Sequence, residues 1–318
     1  MRWFVAATLA ALMLAQSAAV AQQDFSKVEI KTTDVGHGMN MLEGGIGNIT
    51  VAASNVQETQ KLSPQSVSVP NLMGEWVRSD TEARFMPPAS GAGPVRDDPK
   101  HPHHGHREGV PGLPDLDATP WVGDLTNPIL KPWVANALKK NGEMGLAGEE
   151  VSPPHVYCRP SGVPLSLALL ENVHFMQTPA KVTLVYQRDH QLREIYLNVP
   201  HSQNPAPSYY GESVGHYEGG TLVVDTIAMN DRTVTDLYNT PHSDAIHVIE
   251  RYRLVNDGKN LRVDFTVDDP KAFNMPWSAV VNYRRTPAAF QEVVCAENNI
   301  DVTTGKLYPI PAAARPDF

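Results

Sequence analysis

Positive charge, cysteine and long apolar runs are all scarce in this chain. Lys and Arg number 26 against 35 Asp and Glu, a net charge of −9. A general nucleic-acid binder carries a basic excess, so that class is excluded. Two cysteines in 318 residues leave room for one disulfide. Beyond the first twenty residues no stretch approaches 18 apolar positions, which excludes membrane insertion by a helix. No P-loop, Rossmann fingerprint, H-E-x-x-H or G-x-S-x-G occurs, so the common nucleotide, zincin and α/β-hydrolase chemistries have no support. Phe, Trp and Tyr (8, 5 and 10) are together outnumbered by 27 prolines. Proline breaks helix interiors, so an all-helical protein is excluded too. A hydrophobic share of 42% still suffices for a core.

What is present begins with an address. Met1-Arg2 precede an uncharged apolar run from Trp3 to Leu14, then Ala19-Val20-Ala21 and Gln22. These are the n-region, h-region and A-x-A site of a secretory signal peptide, spanning 1–21. The run is too short for a membrane anchor. No cysteine follows it, which excludes a bacterial lipoprotein. The expected location is therefore periplasmic or secreted. There Cys158 and Cys295 are expected to pair, closing a loop worth about 4–5 kcal/mol. The rival reading is a nucleophilic thiol.

Residues 22–70 read as an N-terminal extension. Glycines and alternating apolar residues over 25–56 predict a short hairpin, with Val28–Ile30 and Ile49–Val51 as its arms. The string GHGMNMLEGGIGNITV within it resembles the opening hairpin of metallo-β-lactamase-fold proteins. That family also needs H-x-H-x-D-H. The nearest string here is His101-Pro102-His103-His104-Gly105-His106, with Gly105 in place of the Asp.

The domain proper is expected over 71–318. Gly74-Glu75-Trp76 resembles the G-x-W signature of lipocalins and other calycins, in which the Trp plugs one end of an antiparallel barrel. Residues 87–120 form a Pro/His-rich insertion loop without periodicity. Asn127-Pro128 predicts a helix start and Asn141-Gly142 its stop. From residue 171 the period is two. Strands are predicted over 173–177, 181–188, 193–199, 221–228, 245–254, 261–267, 277–284 and 290–296. The predicted fold is all-β: an antiparallel meander, closed or nearly closed as a calycin-like barrel, with long loops and one or two short helices. An open sheet or sandwich is the alternative. The strings TPHSDAIHVIERYR, GHYEGGTLVVDT and VVCAENN resemble a family of secreted bacterial β-rich proteins without characterised activity. That resemblance implies export and a β-rich body.

Chemistry concentrates in His242–Arg251. Strand parity places Ile246, Val248, Glu250, Tyr252 and Leu254 on the apolar face. Glu250 is then a buried carboxylate, either braced by an Arg or acting as a general acid/base. His247 falls on the opposite face. His242 and Asp244 stand at the strand's mouth and could join it as metal ligands; the alternative is that Ser243 and Asp244 cap a turn. A second constellation is His216-Tyr217-Glu218 with Asp225, Asn230 and Asp231. Asp225 is expected to pair with Arg251 or Arg253 across the sheet. Glu297-Asn298-Asn299, beside Cys295, line the barrel mouth or form a turn. His101, His103, His104 and His106 form a metal-binding tract or a solvated loop.

The function these features predict is binding. A barrel of about eight strands can hold one small, partly apolar molecule, with Trp76, Tyr186 and Tyr252 against it. Nothing indicates a cofactor. The first alternative is a hydrolase or proton-transfer enzyme using Glu250, His247, Asp244, His242 or His216. The second is a structural envelope protein. A filled barrel would favour that one.

Overall fold

The computed structural model describes residues 31–36, 39–44, 47–52, 69–79, 83–103, 119–149 and 151–298. The segment 1–21, read above as a signal peptide, and His104, His106 and Asn299 lie outside them. The chain divides between residues 65 and 66 into two compact units.

The first unit holds β1 (Lys31–Gly36), β2 (Met39–Gly44) and β3 (Gly47–Ala52). They pair antiparallel in the order β1-β2-β3. The predicted hairpin is thus a three-stranded sheet. Its last arm is β3, and Val28–Ile30 lie outside the described residues.

The second unit is a closed barrel of nine strands. They are β4 (Gly74–Arg78), β5 (Val173–Gln177), β6 (Lys181–Tyr186), β7 (Leu192–Leu197), β8 (Glu212–Glu218), β9 (Thr221–Ile227), β10 (His247–Val255), β11 (Asn260–Asp268) and β12 (Trp277–Arg285). Chain order and ring order coincide, with β12 closing on β4. An odd ring cannot be antiparallel throughout. The single parallel contact is β7 to β8, through Ile195↔Ser213, Tyr196↔Val214 and Leu197↔Gly215. Residues 198–211 carry the chain back to the starting end between them. The meander is therefore not purely up-and-down.

Two strand predictions need correction. β8 escaped the period-two search because its two buried residues are Ser213 and Gly215, which carry no apolar signal and leave Tyr217 as the one apolar residue on that face. Ile195 and the backbone of Val223 crowd Gly215, where an added Cβ would sit 2.9 Å from each. Residues 290–296 form no strand. Val293 makes one bridge to Arg188, and Cys295–Asn298 turn into a short helix. The helix α1 runs Pro132–Leu146, with Pro132 rather than Pro128 in its first turn. It passes through Asn141-Gly142 because Gly142 packs on Val122, where an added Cβ would sit at 3.1 Å. The stop comes at Gly148, with φ of +78°.

Alternation fills the barrel interior. Trp76, Phe175, Tyr252, Phe265 and Trp277 are among its largest fully buried side chains. Phe265 meets Trp277 edge-to-face at 6.0 Å, and Phe175 meets Tyr252 at 5.8 Å. Trp76 closes one end, as G-x-W implies. Its indole N–H donates to the carbonyl of Leu72 at 2.8 Å, and the Arg285 guanidinium covers its ring at 4.2 Å. Arg285 also donates to the carbonyls of Met73, Asn71 and Gly258, tying the entry to β4 to the β10–β11 turn.

The first part of the Pro-rich insertion is a strap on the wall. Met86 exchanges two backbone hydrogen bonds with Val280 of β12, and Ser278 N–H donates to Ala92. Extended Pro-rich chain needs no periodicity to lie along a strand, which is why the sequence reads there as a linker.

Cys158 and Cys295 are bonded, 137 residues apart, with Cα atoms separated by 5.4 Å. The bond fastens the short C-terminal helix to the 3₁₀ turn Pro154–Tyr157. No helix among the described residues is long and apolar enough to cross a membrane.

Candidate functional site

The deepest polar cluster lies inside the barrel. Glu250 points inward from β10 and is fully buried. Arg193 points inward from β7 and grips it: Nη1 donates to Oε1 at 2.9 Å and Nη2 to Oε2. Arg193 also donates to Thr226 Oγ1 at 2.8 Å and to Ser213 Oγ at 3.2 Å. Tyr252 donates its hydroxyl to Glu250 Oε1 at 2.6 Å. Four of the guanidinium's five donor positions are thereby used. Burial opposes the charge on Arg193. The Glu250 carboxylate outweighs it and holds Arg193 well above its ordinary pKa. Burial, then the charge of Glu250, also raises the Tyr252 hydroxyl far out of the physiological range. The cluster is a brace in which both oxygens of Glu250 are engaged.

The other predicted catalytic residues do not gather around Glu250. His247 lies on the outer face and bonds Asp225 Oδ1 at 2.7 Å. Asp225 also takes His201 at 3.2 Å, and His201 reaches Glu212 at 2.9 Å. Asp225 therefore pairs with imidazoles and not with Arg251, which goes to Glu218 at 2.7 Å. His216 is exposed and meets Glu218 at 2.9 Å. His242 is buried, while Asp244 is exposed and pairs with Lys271 at 2.7 Å. Of the five, His242 and Asp244 share a cleft. Ser243 caps the turn as the sequence implied, bonding Asp269 through its N–H and hydroxyl at 2.6 and 2.8 Å.

The two described histidines of the tract, His101 and His103, are engaged separately. His101 bonds Asp98 at 2.9 Å. His103 stacks on Trp121 at 3.6 Å and bonds the carbonyl of Thr119 at 2.6 Å. Among the described residues, no group of three or more His, Cys, Asp or Glu side chains is arranged to hold a metal ion.

Of the aromatic ligand candidates, Trp76 and Tyr252 belong to the packed interior. Tyr186 is also buried but stands directly behind a cleft. It stacks on Tyr210 at 5.6 Å with the rings 8° from parallel. Tyr210 is one wall of a cleft of about 470 Å³ at the β7–β8 seam. Alternation turns Leu192, Glu194 and Tyr196 of β7 outward, and all three line it. Pro205 and Tyr209 from the returning segment stand across from them, with Arg193 and Ser213 at the floor. Leu192 is 60% exposed and Tyr196 46%. Glu194 and Glu212 edge the cleft, and hydrogen bonds hold both below the usual carboxylate range. Lys181 and the Tyr196 hydroxyl serve Glu194; Ser202 and then His201 serve Glu212.

Family models, curated proteins and solved structures yield no match to this chain.

The seam residues escaped the sequence search for a physical reason. Tyr209-Tyr210 fall in the segment 198–211, which has no periodicity, and β8 itself was hidden. A parallel contact between strands consecutive in the chain brings β7 and residues 205–213 together. Nothing local encodes that contact. The usable signal was the exposed apolar pair Leu192 and Tyr196 on an otherwise alternating strand.

Proposed function

We propose that this is an exported protein that binds a small, partly apolar molecule, and that the cleft at the β7–β8 seam holds it. One observation carries the reading. The outward apolar residues of β7 face three tyrosine and proline side chains across a cleft large enough for a small ligand. Tyrosine offers apolar area at low entropic cost and a polar tip that fixes orientation. The brace behind it, Arg193–Glu250, keeps the floor rigid. The leader over 1–21 supports export, and the disulfide is compatible with an oxidising compartment.

The test is titration of the purified protein with the neutral probe Nile red. Leu192→Glu and Tyr196→Ser change exposed residues and leave the thermal midpoint where it was. Each lowers probe affinity about ten-fold. Native mass spectrometry of protein taken from its own periplasm then identifies the resident molecule. Probe affinity unchanged in both variants removes the seam cleft as the site.

A second reading, a structural envelope protein, is favoured by the filled barrel interior. No probe binding at all, together with no co-purifying molecule, selects it.

A further inference from the structure

A second cleft, of about 640 Å³, lies at the end of the barrel where β9 stops and β10 starts. It assembles residues that the sequence keeps apart: Asn230 and Asp231 after β9, His242 and Asp244 before β10, and Trp133 from α1. The segment 205–208 runs between the two clefts, giving Pro207 to this one and Pro205, Ala206 and Ser208 to the seam. The two sites are therefore distinct, and the inference stands apart from the seam reading.

The chemistry of the lining is mixed in a particular way. Trp133 is 44% exposed. Its indole N–H is used by the carbonyl of Lys271 at 2.8 Å, so its exposed part is carbon. Asp231 is exposed and makes no hydrogen bond or ion pair to another described residue. Asn230 accepts the N–H of Arg232 at 3.1 Å through Oδ1, which leaves its amide as a donor. Asp244 adds a second carboxylate, engaged through Oδ1 with Lys271.

His242 is a wall here. Its Nδ1 bonds the carbonyl of Ser243 at 2.8 Å and its Nε2 meets Thr233 Oγ1 at 2.6 Å. Both nitrogens are occupied, which leaves neither for a metal or a proton transfer. Burial also lowers the pKa of the ring, against the opposing effects of the Ser243 carbonyl, Asp269 and Asp231.

We infer that this end cleft is a binding site for a neutral saccharide. A sugar ring carries an apolar C–H face for Trp133. Its hydroxyls both donate and accept, so they suit the carboxylates of Asp231 and Asp244 and the amide of Asn230 together. A wholly apolar ligand would strip water from those groups without replacing it. An anionic ligand would meet two carboxylates.

The experiment is a ¹⁵N NMR titration of the full exported chain with maltohexaose, cellohexaose and chitohexaose. Polygalacturonate is the anionic comparison. The expected result is a saturable shift of the Trp133 indole N–H and the Asn230 side-chain amide with at least one neutral oligosaccharide. Polygalacturonate leaves both in place. Trp133→Ala weakens binding about ten-fold, and Trp133→Phe, which keeps a flat face, less than that. Asp231→Ala, at an exposed turn position, weakens it without moving the thermal midpoint. That keeps the test valid if Trp133→Ala unfolds. The inference is overturned if no neutral oligosaccharide shifts these two signals. It is also overturned if polygalacturonate shifts them as strongly, or if Asp231→Ala leaves affinity unchanged.

Discussion

Arg193 and Glu250 meet fork to fork inside the barrel, with side-chain exposures of 1% and 0%. They come from β7 and β10, which are not neighbours in the ring; β8 and β9 lie between. The pair therefore spans the parallel seam, where the wall is joined by three residue pairs only. Thr226 of β9 and Ser213 of β8 bond the same guanidinium and each other, at 2.9 Å between their hydroxyls. All four strands around the seam are thus tied to one cation.

The first prediction concerns that tie. Glu250→Gln or Arg193→Leu alone leaves a buried charge without its partner and lowers stability by about 3–5 kcal/mol. The double variant Arg193→Leu/Glu250→Gln removes both charges and recovers most of the loss. Urea unfolding of the three variants checks this. Additive losses in the double variant contradict the brace.

The Trp76 plug is equally open to test. Trp76→Ala opens a cavity beneath Arg285 and lowers stability by about 3–5 kcal/mol. Trp76→Phe keeps most of the volume but loses the bond to the Leu72 carbonyl, and costs less. Denaturant midpoints rank the two. A neutral Trp76→Ala means that the end of the barrel collapses freely.

The disulfide closes a long segment, and the chain-entropy model assigns it about 5 kcal/mol. Cys158→Ser/Cys295→Ser lowers the unfolding free energy accordingly. Wild type treated with dithiothreitol shows the same loss. Two thiols alkylated in protein isolated under non-reducing conditions contradict the bond.

A pH dependence follows from His155. Burial, then the nearby charge of Arg188, lowers its pKa from 6.5 to about 4. Between those values the unfolded chain binds the proton and the folded chain does not. Stability from this group is complete above pH 6.5 and is lost as pH falls towards 4, by about 3 kcal/mol. Asp236 works in the opposite sense. Burial raises it from 3.8 to about 6, so its contribution improves as pH falls through that window. Comparing wild type with His155→Gln isolates the histidine. The variant's unfolding free energy, measured from pH 7 to pH 4, declines less steeply. Equal slopes contradict a neutral buried imidazole.

Much of the barrel was legible because it depends on local rules. Period-two runs marked most of the strands. Strand parity placed Glu250 inward, and a buried carboxylate demands an arginine or a proton. The same parity could not say which arginine. Arg193 is the second residue of β7, 57 positions away, and only ring closure brings it across. The expected site failed to form around Glu250 for a similar reason. His247, half a period out of phase with Glu250, was certain to face away, and it found Asp225 and, through it, the crossover's His201.

The sequence by itself determined alternation, one possible bridge between Cys158 and Cys295, and a tryptophan end plug. Those are consequences of side-chain period, cysteine count and a short motif. Tertiary structure alone decided that nine strands close the ring, because an odd number forces one parallel contact and the choice of β7–β8 is global. That choice, with the crossover it requires, built the seam cleft out of residues with no shared pattern. The ends of β9 and β10 meet α1 by packing, and this gathered Asn230, Asp231, His242 and Trp133 into the second cleft. Packing also filled the interior, because inward positions on opposing strands hold side chains long enough to meet across a barrel of this size.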